Sequence, residues 1–199
     1  MAVRVLLLTG WLLVPVGWYA WHMGPGQDRQ QLDAADALVG RAERQAAAGD
    51  HAAAVETYAA ALAALPEGQK ATARGLRLER AKSQMQAKQL PEANADLKGL
   101  VDEIAGDPGG DPKQLAAARE AFANSQYYLT WLMRLEGHPH EVWESEAEAS
   151  RQVYKLLAEQ SEAAGDAAAA KRHTDSLEAA VRLARMDLGE LTGLPLPSV

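Results

Sequence analysis

Hydrophobic and polar positions in the second half of the chain follow the period of an amphipathic helix. Apolar or small residues recur every three or four positions, and each such stripe needs a neighbouring helix to cover it. The three stripes are Leu115, Ala118, Phe122, Ser125, Leu129 and Leu132; Trp143, Ala147, Ser150, Tyr154 and Leu157; and Leu177, Val181, Ala184, Leu188 and Leu191. The pattern predicts packed α-helices, and strand-like runs are missing outside the N-terminal segment.

Glycine, proline and aspartate mark the turns that divide the chain after residue 27. The predicted helices are 29–48, 50–65, 70–88, 91–105, 113–136, 141–163 and 167–190, followed by an irregular tail at 191–199. Short turns between long helices make consecutive helices antiparallel neighbours. The tail is interpreted either as a short docking peptide or as a segment that folds back across the last helix.

The N-terminal segment, residues 1–26, has a different pattern. Between Val5 and Met23 there is no Asp, Glu, Lys or Arg. This run approaches the roughly 20 residues that cross a bilayer core as a helix. Two tryptophans and a tyrosine lie near its far end, where interfacial aromatic residues are common. We therefore predict an uncleaved signal-anchor, a transmembrane helix; a cleaved secretory signal and a buried soluble helix are the alternatives.

The charges around this segment predict its orientation. Arg4 precedes it, and positive charge before a first membrane helix favours an N-terminus inside the cytoplasm. Arg29, just beyond the segment, reduces this bias. We expect a single-pass protein of the inner (cytoplasmic) membrane that contacts the bilayer through residues 5–23 and holds residues 27–199 outside the cytoplasm.

Composition narrows the classes of function. The 199 residues carry a net charge of −7, so we expect no nucleic-acid partner. The absence of cysteine excludes disulfides, thiolate metal sites and cysteine nucleophiles. The basic residues within 70–80 and the acidic residues within 144–150 are interpreted as solvated helix faces. A chain rich in alanine and arginine with a single phenylalanine is typical of a bacterium with a GC-rich genome.

The alanine-rich stretch after residue 46 has a specific spacing. Counted from Gly49, small residues fall at Ala54 and Ala61, an aromatic residue at Tyr58 and a proline at Pro66. This spacing resembles the second half of a tetratricopeptide repeat (TPR), a unit made of one helical hairpin. The resemblance implies that the small residues let two helices approach closely, while the aromatic residue wedges between successive units.

A second copy of this pattern begins at Lys88 and continues through Ala93, Leu97 and Leu100. In that copy the turn glycine is replaced by lysine. Counted from Gly137 the pattern fails, because the alanine and the aromatic residue are missing at the matching positions. The helices in that part of the chain are also longer than those of the family.

The best repeat matches therefore cover residues 35–105, and the longer helical hairpins of 112–190 are only repeat-like. The resemblance implies an all-α fold in which a TPR-like stack of antiparallel helical hairpins, residues 27–199, follows the transmembrane helix. A plain alanine-rich helical bundle is the alternative, because alanine is also the best helix former.

In this family the first helix of each hairpin lines a concave groove that binds peptides or protein segments. Extending the count from the turn glycines, the resemblance implies that the groove residues are Val39, Glu43, Leu78, Lys82, Gln86, Tyr127, Trp131 and Arg134. We expect at least Trp131 to be partly exposed and Arg134 to pair with an acidic group. The alternative is that Tyr127 and Trp131 are core residues that pack against Trp143 and Tyr154.

Catalytic chemistry is not indicated. No motif for nucleophilic catalysis, phosphate binding or dinucleotide binding occurs, so we expect the protein not to be an enzyme. The residues that most resemble metal ligands are His138, His140, Glu141 and Glu144. A proline separates the two histidines and no third histidine is near in sequence, so we predict no metal and no cofactor.

Together these features predict a membrane-anchored protein–protein interaction scaffold of the bacterial cell envelope, which recruits or assembles a protein or peptide partner. The alternative is a structural accessory subunit of a membrane protein complex. The two differ in surface, because a recruiter presents an open polar groove and a subunit exposes a large apolar patch. An enzyme with a dispersed active site is a third hypothesis.

The predicted topology is testable by protease protection. We expect the mature protein to keep residues 1–23 and to hold the helical domain outside the cytoplasm, so that protease added to spheroplasts digests the domain. Disruption of the cells should leave that digestion unchanged. N-terminal sequencing that begins near residues 20–30 would show a cleaved signal instead of an anchor.

Overall fold

The computed structural model describes residues 25–192, and this part of the chain contains α-helices and no strands. The helices are α1 (Pro25–Ala47), α2 (His51–Ala64), α3 (Lys70–Gln86), α4 (Leu90–Ala105), α5 (Pro112–Leu135), α6 (His140–Ala163), α7 (Ala167–Arg185) and α8 (Leu188–Thr192). The all-α prediction is confirmed for the described residues. The apolar segment 5–23 and most of the tail lie outside them. None of the helices α1 to α8 is long and apolar enough to cross a bilayer.

Each long helix packs against the next one in the chain, so the helices form a row of antiparallel hairpins. In addition, α3 packs directly on α5, and the short α8 packs on α5. Because contacts run mainly between neighbours along the chain, the arrangement is that of consecutive packed helices in a repeat-like stack.

The turns inside the hairpins share one backbone geometry. Gly49, Gly137 and Gly165 have φ of 81°, 75° and 73°, and Lys88 has φ of 64°. After each of them, the next amide donates to a carbonyl five residues back, as Gln89 does to Gln84 at 2.9 Å. This is the helix-ending motif in which a left-handed residue closes the last turn. Lys88 therefore adopts the conformation of the glycine that the repeat pattern places there, although side chains disfavour it.

Close approach of α1 and α2 depends on small side chains. Ala42 on α1 faces Ala54 and Ala61 on α2, and all three are 0% exposed. Tyr58 lies between the two alanines in sequence and packs in the same cluster with Leu76 of α3. The expected roles are confirmed: the alanines allow contact within the hairpin, and the tyrosine joins it to the next one.

The second hairpin has larger side chains at the matching positions. Ala93, Leu97 and Leu100 of α4 are fully or almost fully buried. They pack with Leu78 of α3 and Ala118 of α5 in the largest core cluster of the described residues. The predicted second copy therefore occupies equivalent buried positions, with leucine in place of tyrosine and alanine.

The predicted stripes on α5 and α6 are buried, but the stripe on α7 is wrong. All five stripe residues of α6 are buried, and on α5 only Leu132 is exposed. On α7 the buried residues are Ala169, Ala170, His173, Ala180 and Leu183, while Ala184 of the predicted stripe is exposed. Leu177 of the predicted stripe is nevertheless half-buried and packs with Ala180, so the predicted stripe is displaced from the buried one and overlaps it.

The predicted single helix at 167–190 is also corrected, because α7 ends at Arg185 and α8 begins at Leu188. Asp187 and Glu190 form a reciprocal pair of hydrogen bonds that starts α8. The Glu190 amide donates to the Asp187 carboxylate at 2.7 Å, and the Asp187 amide donates to the Glu190 carboxylate at 3.1 Å. This capping box restarts the helix on a new axis, so Leu188 becomes exposed while Leu191 is buried.

The basic residues of α3 were predicted to form a solvated face, and this prediction is wrong for Arg74 and Arg80. The Arg74 side chain is 7% exposed and binds Glu103 at 2.8 Å and Asp107 at 2.7 Å at the end of α4. Hydrogen bonds from Arg74 lower the pKa of both carboxyl groups. Their contribution to stability is therefore present above the ordinary carboxyl range and lost as the pH falls through the lowered pKa values. Arg80 likewise pairs with Asp96 at 2.6 Å.

The alanine contact can be tested by enlarging its side chains. Ala54→Leu and Ala61→Leu should each lower the free energy of unfolding by about 1–3 kcal/mol, because these fully buried sites have no space for added methylenes. The exposed Ala60 and Ala63 of the same helix provide matched controls, and leucine there should change stability little. Urea denaturation gives both values; equal losses at all four positions would contradict the close approach.

Candidate functional site

A groove of about 440 Å³ runs across the inner side of the first three hairpins. Its walls come from α1, from the outer helix α2, from α3 and from α5. The lining residues are Ala46, His51, Tyr58, Glu79, Lys82, Ser83, Met85, Gln86, Ala117, Glu120, Ala121 and Asn124. The groove exists because the odd-numbered helices lie on one side of the row, where α3 packs on α5.

Two of the predicted partner-binding residues, Lys82 and Gln86, line this groove. Glu43 of α1 is close enough for its charge to act on the hydroxyl of Tyr58, which also lines the groove. The other two residues named for α1 and α3 belong to cores. Leu78 is buried between α3, α4 and α5, and Val39 packs against the α1–α2 alanines.

The structure places Tyr127 and Trp131 in the core. Trp131 is 5% exposed and packs against Leu183 of α7 and Leu191 of α8. Tyr127 contacts that cluster and also packs beside Tyr154. The expectation that Trp131 is partly exposed is therefore wrong, and the core alternative describes both aromatic residues.

Arg134 stabilises the end of a helix and has no acidic partner in the described structure. Its guanidinium donates to the carbonyl oxygens of Leu183 and Met186, which are otherwise left over where α7 ends. The guanidinium carbon also lies 4.8 Å from the centre of the Trp143 ring. Burial lowers the pKa of Arg134, and the charge of Asp187 opposes this shift. A cation at the C-terminal end of a helix is favoured by the helix dipole.

The groove segment of α5 lies earlier in the helix than the repeat count placed it. Ala117, Glu120 and Asn124 face the groove, whereas the count extended from Gly137 pointed to residues 127–134. The α5 helix is longer than the helices of the first two hairpins, so its turn lies farther from the groove. Counting back from that turn by the repeat spacing therefore stops short of the groove by about three helical turns.

Two carboxylates, Glu79 and Glu120, line the groove, and Glu43 is close enough for its charge to act on Tyr58. Glu79 pairs with Lys82 at 2.8 Å, and both side chains are about half exposed. Glu43 and Glu120 have no Lys or Arg at ion-pair distance within residues 25–192. The ionic neighbour of Glu120 is the imidazole of His173, at 3.6 Å. Carboxylates therefore outnumber cations at this groove.

The floor of the groove contains polar groups with few partners. Tyr58 is 3% exposed, and burial together with the charges of Glu79 and Glu43 raises the pKa of its hydroxyl. The Nδ1 atom of His51 is shielded from solvent and has no hydrogen-bond partner in the described residues. Sequence reasoning missed His51, Glu120 and Asn124, because nothing local distinguishes them from ordinary helix residues.

The histidines near the α5–α6 turn do not form a metal centre in the described residues. His138 lies 3.1 Å from Glu136, and His140 lies 3.3 Å from Glu144, in two separate exposed pairs. No group of three or more potential metal ligands occurs between residues 25 and 192.

Comparison with known proteins does not place the chain in a family. No family model matches it, and neither a curated protein nor a solved structure matches it. The class that the geometry defines is therefore an all-α stack of consecutive helical hairpins with one polar inner groove.

The core position of Trp131 predicts a large cost on truncation. Trp131→Ala should lower the free energy of unfolding by about 3–5 kcal/mol, because it leaves a cavity between α5, α7 and α8. The neighbouring Leu132 is 39% exposed, and Leu132→Ala is the matched control, with an expected cost of about 1 kcal/mol or less. Chemical denaturation measures both; an unchanged stability for the Trp131 variant would contradict its core role.

Proposed function

We propose that this protein is a membrane-anchored protein–protein interaction scaffold of the bacterial cell envelope. Its inner groove holds an extended segment of a protein partner, and residues 5–23 keep it at the membrane. The observation that carries the proposal is the groove itself, because it crosses α1, α3 and α5 and is lined by both polar and apolar side chains. Stacked hairpins commonly use such a concave surface for binding proteins.

A TPR-like origin of the first two hairpins is part of this proposal. In its support, Gly49 and Lys88 end their helices with the same left-handed geometry. The small residues that follow them, Ala54 and Ala93, are both 0% exposed. Equivalent turns followed by equivalent buried positions are what a repeated hairpin unit requires.

A binding role is favoured over catalysis because the two possible nucleophiles of the groove, Ser83 and Lys82, are engaged elsewhere. The Ser83 hydroxyl donates to the backbone carbonyl of Glu79 at 3.0 Å, and Lys82 is paired with the Glu79 carboxylate. Neither is held against a base that would activate it as a nucleophile. The groove is therefore better suited to recognition than to covalent chemistry.

One observation favours the accessory-subunit alternative. The large apolar residues that stay exposed in the described chain all belong to its last part: Leu132, Val142, Leu156 and Leu188. An accessory subunit uses such residues for permanent packing against its neighbours, whereas a recruiter uses its groove. The two functions therefore involve opposite ends of the stack.

Pull-down of the detergent-solubilised full chain, with partners identified by mass spectrometry, tests the proposal. We expect Lys82→Glu to change capture of the partner at least about tenfold, since a charge reversal in a binding surface alters its electrostatic match to the partner. Lys98→Glu, at an exposed site on the outer helix α4, should not change capture. Unchanged melting temperatures show that both variants are folded.

The same experiment separates the two functions. Capture that Lys82→Glu leaves unchanged but that is lost with Val142→Asp or Leu188→Asp would support the accessory subunit and contradict the groove. Both of these residues are exposed, at 44% and 52%, so an aspartate there should leave the fold intact.

A further inference from the structure

We propose that the groove selects a basic segment of its partner, with a lysine or arginine side chain held among Glu43, Glu79 and Glu120. This inference rests on the proposed binding function and specifies the chemistry of the ligand. It starts from the distribution of charge. Glu79 of α3 and Glu120 of α5 line one cavity, and the charge of Glu43 on α1 reaches the Tyr58 hydroxyl at its wall.

The carboxylates are not neutralised from within the described chain. Lys82 is the one lysine or arginine that lines the groove, and it is already paired with Glu79. That pair is half exposed, so it contributes little and exchanges readily for another cation. Glu43 and Glu120 remain without a Lys or Arg partner between residues 25 and 192. A cation from outside therefore finds carboxylate acceptors on both α3 and α5.

A second feature points to a ligand with hydrogen-bond donors. The Tyr58 side chain is 97% buried yet lines the groove with a polar hydroxyl. Beside it in the lining, the His51 Nδ1 is closed to solvent and has no partner among the described residues. Buried polar groups are normally hydrogen-bonded, so the Tyr58 hydroxyl at the cavity wall is expected to gain a partner from the ligand.

The groups together match an ammonium or guanidinium head better than a neutral one. Such a head carries several donors and no acceptor. The Glu120 carboxylate, the Tyr58 hydroxyl and the His51 Nδ1 are all able to accept a hydrogen bond. An acidic segment would instead meet three carboxylates, and the resulting repulsion would exclude it. The groove therefore discriminates by charge as well as by shape.

Fluorescence anisotropy of labelled peptides with the full chain in mild detergent tests this inference. The probes are short glycine–serine peptides that carry lysine, glutamine or glutamate at every third position. We expect the lysine peptide to bind most tightly and the glutamate peptide not to bind. Added salt should weaken the lysine peptide, because partly exposed charges are screened.

Substitutions then assign the binding to the groove. Glu43→Gln, Glu79→Gln and Glu120→Gln should each weaken the lysine peptide about fivefold, the effect of losing one partly exposed ion pair. The triple variant should lose more than about tenfold, since separated contributions add. Glu92→Gln on α4 and Glu162→Gln on α6 remove the same charge from exposed sites outside the groove and should have no effect.

The possible results separate this inference from the proposed function. Equal loss in the groove and control variants would mean that the net charge of −7 attracts any basic peptide, and the inference would be wrong. The inference would also be wrong if the glutamine peptide binds as well as the lysine peptide, or if no peptide binds. In these last two cases the proposed scaffold function still stands if capture of the partner protein remains sensitive to Lys82→Glu.

Discussion

The close contact between α1 and α2 is the constraint on which the rest of the stack depends. The interface is formed by three side chains with no solvent exposure: Ala42, Ala54 and Ala61. Alanine buries little apolar area, so this contact contributes little hydrophobic free energy. It leaves no space for larger side chains, because the interface is closely packed. Because α1 and α2 lie so close together, the larger side chain of Tyr58 does not fit between them. It packs instead against Leu76 of α3. The tyrosine then forms both the joint to the next hairpin and the floor of the groove.

Attachment of α3 to its neighbours has a different physical basis. The α3–α4 hairpin combines a leucine-rich core with Arg74, which bridges two carboxylates at the far end of α4. A guanidinium that is almost fully buried needs both partners, because a buried cation left unpaired is costly. The pairing also fixes the loop between α4 and α5, since Asp107 accepts from Arg74 and from the amide of Gly109. The position of α5, and with it the far wall of the groove, follows from that loop.

Sequence patterns predicted those features that depend on local spacing. The seven long helices, the turns between them and the burial of Ala54, Ala61 and Tyr58 could be read from periodicity and turn residues. The break at Asp187 was also visible in principle, because Asp187 and Glu190 have the spacing of a capping box. Features that depend on distant partners could not be predicted. Nothing near Arg134 in sequence indicates that it satisfies carbonyl groups at the end of α7.

Residues of the candidate site were predicted correctly only on helices whose length matches that of the repeat unit. Lys82 and Gln86 lie one hairpin from the best match, and both line the groove. On α5 the extra length moved the groove-facing positions away from the turn, so the same count selected core residues. The groove is a tertiary property, and its register on each helix is set by where neighbouring helices cross.

The helices α6 and α7, which depart most from the repeat spacing, contact the side of α5 that faces away from the groove. The Tyr154 hydroxyl of α6 donates to the side-chain oxygen of Asn124, and Ser150 donates to the Ala123 carbonyl at 3.2 Å. His173 of α7 is buried, with Nδ1 3.0 Å from the Ser161 hydroxyl and Nε2 facing Glu120. These contacts fix the side chains and backbone of α5 where it lines the groove. The long α6–α7 hairpin is therefore a structural support of the groove wall, although only α5 of these three helices lines the groove.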